Sequence, residues 1–169
     1  MRPPVAASDI RRDLVGLLPK LRRFAITLTG DLADADELVQ SVCQRGITKI
    51  NSWNYEGRLE SWLYTMARHQ RYEDARRHRL RAAAKGSALE QGEPVNHSQI
   101  NPVEASDAHQ TVTSLPEGLA SVFLLIAVEG YSYKQTAEIL GIPLATVASR
   151  LSSARLQLAT GKNRPPRKF

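Results

Sequence analysis

The stretch SYKQTAEILGIPLATVASRLSSARLQL, residues 132–158, constrains the fold of this chain more tightly than any other. Ser132 is followed three positions on by Gln135, the capping-box spacing that satisfies two orphan amides at a helix start. The short helix opened there runs to Leu140, where Gly141, Ile142 and Pro143 predict a tight turn. A last helix follows from about Leu144 to near Thr160. Its Val147, Leu151, Ala154 and Leu158 recur at spacings of four, three and four, which defines a buried stripe. Two helices joined by a three-residue turn containing glycine form the helix-turn-helix arrangement of DNA-binding domains.

At about 100° per residue, Ser149, Arg150, Ser153 and Gln157 stay within about 60° of Thr146 on the last helix. That narrow face carries small polar groups, an amide and a guanidinium. It suits a major groove, where Arg binds guanine bidentately and Ser or Gln meets base edges or phosphates. Upstream, Leu115, Leu119, Val122, Phe123 and Ile126 mark one more amphipathic helix.

The first half predicts three helices. Ser8 or Asp9 can cap the first, whose stripe is Ile10, Leu14, Leu17, Leu21, Phe24 and Leu28. Gly30 and Asp31 break it and open a second helix, where Asp31, Asp34, Asp36 and Glu37 meet the favourable end of the dipole. Leu38, Val39, Val42, Cys43, Ile47 and Ile50 supply its buried side. After a loop over residues 52–57, a third helix begins near Arg58 and buries Leu59, Trp62, Leu63 and Met66. Its outer face is expected to carry Tyr64, Arg68, Arg71, Tyr72 and Arg79. From Arg68 to Lys85 seven basic residues stand against two acidic ones. Basic side chains interleaved with aromatics suit a phosphate backbone beside unstacked bases, and Trp53, Asn54 and Tyr55 in the preceding loop suit a base taken out of the stack.

Residues 86–107 are polar, carry Gly and Pro, and show no apolar period. A structureless stretch of about 20 residues is too long for a loop within one compact domain, so two domains are expected. The boundaries read as 8–85, a flexible linker over 86–107, 108–160, and a basic tail over 161–169. The net charge of +6 favours a polyanionic partner. No strand pattern competes, and the fold class is all-α.

Other chemistry is poorly supported. Cys43 is the only cysteine, which excludes an intrachain disulfide and a thiolate metal cluster, and a small buried apolar role suits it best. His69 and Glu73 share a helical face, but Asp74 and His78 lie about 100° or more around the helix, and arginines flank all four. No metal, cofactor or catalytic residue is expected, and no P-loop, nucleophile elbow or dinucleotide fingerprint occurs. No apolar run approaches the roughly 18 residues of a membrane span, and MRPPVAASDI lacks a signal-peptide core, so a cytoplasmic location without membrane insertion is expected.

Three stretches in this order, ADADELVQSV (33–42), RLESWLYTMARHQRYEDARRHR (58–79) and the region from Leu115 to Leu158, resemble the extracytoplasmic-function group of the sigma-70 family. The resemblance implies that Asp36, Glu37 and Gln40 dock on the β′ clamp helices of core RNA polymerase. It implies that Trp53, Asn54 and Tyr55, with Arg68, Arg71, Tyr72, Arg76 and Arg77, melt and read the −10 element of promoter DNA. It further implies that the last helix reads the −35 element beside the β flap, that the linker threads toward the active-site channel, and that an anti-sigma factor holds the protein until a stress signal arrives. The sequence departs from the family's usual pattern at His69, where Asn is common, at Ala148, where a phosphate-contacting Lys is common, and at Leu119 and Ala120, where an Arg is usual. A stand-alone helix-turn-helix regulator is the alternative, but it leaves the acidic patch and the aromatic loop without a role. An enzyme built on the His69 cluster is the weaker one.

Overall fold

The computed structural model describes residues 7–53, 58–85 and 115–160, and among these every regular element is helical. Helix α1 spans Ala7–Thr29, with Ser8 and Asp9 inside its first turn rather than at a cap, Asp9 favouring the dipole there. Pro19 lies in its interior, where it lacks the amide that would bond to the preceding turn. The helix stops at Gly30, whose φ of +71° is open to glycine and costly for other residues. Asp31 then caps α2 (Leu32–Lys49), its carboxylate accepting from the Asp34 amide at 3.1 Å. A single 3₁₀ turn, Ile50–Ser52, leads to Trp53. Helix α3 (Leu59–Ala84) follows with Arg58 at its N-cap.

In the second half, α4 (Glu117–Phe123) continues into one π-helical turn, Leu124–Val128. Helices α5 (Tyr133–Leu140) and α6 (Leu144–Thr160) complete the chain's described part. The capping box at Ser132 and Gln135 is formed in both directions, and Gly141 ends α5 in the left-handed conformation at φ +63°. The helix-turn-helix thus stands where the sequence predicts it.

The buried stripes explain the packing. Leu21, Phe24, Val42 and Leu63 are almost wholly buried among α1, α2 and α3, and Val122, Leu125, Val147 and Leu151 among the later helices. Gly46 lets α3 approach α2 closely, since a Cβ there would stand 3.2 Å from Leu63 Cδ2. Two expectations for the first half are corrected. Ile47, expected on the buried side of α2, is 44% exposed, because the covered stripe of α2 runs through Ala35, Leu38, Val42 and Gly46 and Ile47 lies about 100° around the helix from Gly46. Tyr64, expected on the outer face of α3, is 1% exposed.

Tyr64 is covered because the two halves pack against each other. Helix α1 lies against α4 and α3 against α5, and one continuous core runs from Leu14 to Ala154. Residues 86–107, expected as a flexible linker, lie outside the described residues.

Candidate nucleic-acid interface

Helix α6 leaves at least partly exposed the polar residues expected to face DNA. Ser149 is exposed, and Thr146, Arg150, Ser153 and Gln157 are half-exposed along a side about 100° around the helix from the stripe of Val147, Leu151 and Ala154. The Arg150 guanidinium lies across α4 where Gly118 leaves room, since a Cβ built there would stand 3.3 Å from Nη1. Any side chain longer than glycine at that position would compete with Arg150 for the space.

On α3, Tyr72, Arg76, Arg77 and Arg79 are exposed, and Tyr72 shows 64% of its surface. They form a run of cationic and aromatic groups suited to a polyanion. Two arginines of the same helix are instead engaged within the protein. Arg71 Nε donates to the Leu28 carbonyl at 3.3 Å, tying α3 to the end of α1. Arg68 Nε donates to the Ile139 carbonyl at 2.9 Å, and its Nη2 meets His69 Nε2 at 2.9 Å. Ile139 sits in the last turn of α5, where carbonyls lack helical partners, so Arg68 caps a helix of the other half. It fits tightly: a Cβ on Gly141 would fall 2.8 Å from Arg68 Nη1.

Trp53 stacks on Trp62 with ring centroids 6.3 Å apart, which anchors the start of the aromatic loop on α3. Asn54 and Tyr55 lie outside the described residues. On α2, Asp36, Glu37 and Gln40 are all exposed on one face. Arg22 of α1 grips the Asp36 carboxylate through Nε at 2.8 Å and Nη2 at 3.4 Å, fixing its orientation. Cys43 is half-buried, and burial raises its thiol pKa, which suppresses the reactive thiolate. Among the described residues no group of three or more His, Cys, Asp or Glu side chains is placed to hold a metal ion.

A polar cluster between the halves was not legible in the sequence. Tyr64 Oη donates to Glu129 Oε2 at 2.7 Å, and Tyr131 Oη donates to Glu60 Oε2 at 3.1 Å. The two hydroxyl–carboxylate bonds run in opposite directions, one from α3 to the segment after the π turn and one back. Arg58 lies over the Tyr131 ring at 5.0 Å, and Lys20 reaches Glu60 Oε1 at 3.5 Å. Burial, then the carboxylate partner, pushes both phenols above their ordinary range. Burial and the Glu60 charge raise Glu129 too, against the opposing pull of the Tyr64 bond, Lys20 and Arg23.

Comparison with known proteins places these features together. The model for Sigma-70 region 2 matches residues 15–81, and that for Sigma-70, region 4 matches residues 106–158. The ECF RNA polymerase sigma factor EcfG of Rhodopseudomonas palustris is 29% identical over 151 residues, covering 89% of this chain and 83% of that one. This chain belongs to the extracytoplasmic-function group of the sigma-70 family. This sigma factor is also similar to SigM of Mycobacterium tuberculosis, at 26% identity over 140 residues, covering 83% of this chain and 70% of that one. Among solved structures, the sigma factor RpoE in complex with the anti-sigma factor NepR from Bartonella quintana aligns with a TM-score of 0.69 at 27% identity, covering 90% of this sigma factor and 95% of that chain. CnrH in complex with the cytosolic domain of CnrY aligns at 0.56 and 21% identity over 94% and 92% of the chains, a likeness of fold. The sigma factor directs promoter recognition and transcription initiation, and the region 2 match gives its first half the role that a stand-alone helix-turn-helix regulator would leave empty.

Proposed function

We propose that this sigma factor works without a catalytic residue or cofactor of its own, binding core polymerase and promoter DNA through separate faces of the two halves. Asp36, Glu37 and Gln40 meet the β′ clamp helices, with Arg22 orienting Asp36 for that contact. Trp53, Asn54 and Tyr55 receive a base leaving the stack in the −10 element, while Arg68, Arg71, Tyr72, Arg76 and Arg77 follow the strand beside it. Thr146, Ser149, Arg150, Ser153 and Gln157 enter the major groove of the −35 element, with the same half resting on the β flap. The observation that carries the reading is the capped, glycine-turned pair α5–α6 presenting a narrow polar face, with a basic, aromatic α3 on the same molecule. In keeping with the RpoE structure, in which that sigma factor is bound by the anti-sigma factor NepR, an anti-sigma factor is the partner that holds the protein inactive. Its site of action is the cytoplasm, where core polymerase and promoter DNA are found; none of the described helices is long and apolar enough to cross a membrane.

The test is size-exclusion chromatography with bacterial core RNA polymerase. Stable co-elution at sub-micromolar concentration supports the assignment, and a Glu37→Arg variant that elutes separately supports the α2 face as the contact. Elution of the folded wild-type chain apart from core polymerase would overturn it.

A further inference from the structure

The Arg68 guanidinium is placed for two incompatible tasks. It stands on the helix offered to promoter DNA, yet its Nε is bound to the Ile139 carbonyl and its Nη1 lies against the turn that separates α5 from α6. A guanidinium carries five N–H donors, but in the closed state all three of its nitrogens are engaged, Nε by the Ile139 carbonyl, Nη2 by His69 Nε2 and Nη1 against the turn at Gly141, so a bidentate grip on a phosphate requires Arg68 to leave them. The surroundings look built to separate. The contact between α3 and the segment after α4 is made by carboxylates, phenols and cations rather than by apolar groups alone: Tyr64 with Glu129, Tyr131 with Glu60, Arg58 over Tyr131, Lys20 beside Glu60. The second Glu129 oxygen is buried and has no hydrogen-bond partner among the described residues. A half-satisfied buried carboxylate is a poor device for stability alone, because the unpaired oxygen works against the closed state.

We propose that the two halves form a self-closing pair latched by the crossed Tyr64–Glu129 and Tyr131–Glu60 bonds, in which the helix-turn-helix half takes Arg68 away from nucleic acid, so that closure and phosphate binding by Arg68 exclude each other. The inference rests on the assignment of Arg68 to the DNA-facing set. It adds that the same side chain makes the apo protein occlude itself, with no inhibitor bound. Because the two events share one group, each weakens the other by the same factor.

A cysteine pair reads the closed state directly. Thr27 and Ser121 face each other across the halves with their hydroxyls 3.3 Å apart, so a Thr27→Cys, Ser121→Cys pair in a Cys43→Ala background can close into a disulfide with about an ångström of adjustment. The full chain is oxidised with copper–phenanthroline, alone and with a saturating 20-nucleotide single-stranded DNA, and its affinity for that strand is measured by anisotropy before and after cross-linking. The expected result is ready cross-linking of the free chain, slowed about tenfold by the strand, and a cross-linked chain that binds the strand about tenfold more weakly until reductant is added. Adding Tyr64→Phe and Tyr131→Phe, which remove both hydroxyls and leave the rings, should slow cross-linking in the absence of DNA.

Failure to cross-link, or cross-linking indifferent to the strand with unchanged affinity, overturns the proposal. If the reduced chain binds the strand equally well with Arg68→Ala, the DNA assignment of Arg68 fails, and the exclusion with it. If Arg68→Ala weakens the reduced chain while the cross-link does not, the assignment stands and the exclusion alone falls.

Discussion

The hydroxyl of Tyr64 donates to Glu129 Oε2 at 2.7 Å between residues 65 positions apart in sequence. Tyr64 also packs on Phe24, with ring centroids 4.5 Å apart, and meets the Tyr131 ring edge-on at 6.2 Å. One side chain is therefore both core of the first half and polar contact to the second. Tyr64→Phe keeps the ring and deletes the bond. It is expected to lower unfolding free energy by about 1–2 kcal/mol, measured by urea titration, since a hydrogen bond to a charged acceptor is lost and a buried carboxylate loses its donor. An unchanged midpoint would show that the halves close without this bond.

The titration of this cluster has a definite sign. The phenols of Tyr64 and Tyr131 are raised above their unfolded value, so the stability they contribute is complete below about pH 10 and is lost as pH rises through their folded values. Ultraviolet absorbance should show tyrosines that ionise later than the ordinary phenol range, together with loss of helical ellipticity. Glu129 is also raised, so its contribution is present below the ordinary carboxylate range and lost as pH climbs through its folded value. Glu129→Gln should accordingly be more stable than wild type at neutral pH by an amount that shrinks as pH falls toward 4. A difference that grows on acidification would contradict the direction assigned to Glu129.

Gly141 combines two restrictions. Its φ of +63° disfavours any Cβ, and the Arg68 guanidinium fills the space a Cβ would take. Gly141→Ala is expected to cost about 1–2 kcal/mol from the backbone alone. Part of any further loss should return in the Gly141→Ala, Arg68→Ala double variant. Thermal denaturation of the four proteins gives the coupling, and strict additivity would place the guanidinium clear of the turn.

Arg150→Ala should weaken binding of holoenzyme to its promoter by about 1–3 kcal/mol and relax preference at a single base pair, if the guanidinium reads a base edge. Gly118→Ala sets a methyl 3.3 Å from Arg150 Nη1 and is expected to shift preference at that same position. A uniform loss across all sites would place Arg150 on the phosphate backbone.

How far the sequence could be read depended on the range of the interactions involved. Local signals carried through: the Ser132–Gln135 capping box, the turn at Gly141, the break at Gly30 and Asp31 and the Val147, Leu151, Ala154 stripe are decided by residues within a turn or two of each other. The sequence neighbours of Tyr64 place it on the arginine face of α3, whereas the groups that cover it, Phe24 of α1 and Glu129 and Tyr131 of the other half, all come from far along the sequence. Arg68 reads as a cation free for phosphate for the same reason. Glu60, Glu129 and Tyr131 carry no local pattern at all, since each is meaningful only beside a partner from the other half. Ile47 shows the opposite error: it is grouped with the apolar residues of α2, but α3 covers the stripe through Leu38, Val42 and Gly46, and Ile47 lies one residue around from it.

The π-helical turn at Leu124–Val128 has a consequence for how the halves are keyed together. Its backbone bonds are longer in register than those of an α-helix, with the Glu129 amide reaching the Leu124 carbonyl at 3.0 Å and the Tyr131 amide reaching that of Leu125 at 2.9 Å. One residue more than an α-helix needs is accommodated there, and it turns everything after it by about 100°. Glu129 and Tyr131 owe their aim to that surplus residue. Deleting one position from 124–128 would leave every contacting side chain in the protein and point two of them elsewhere, so the lock between the halves is written as a phase of the backbone as much as a choice of amino acids.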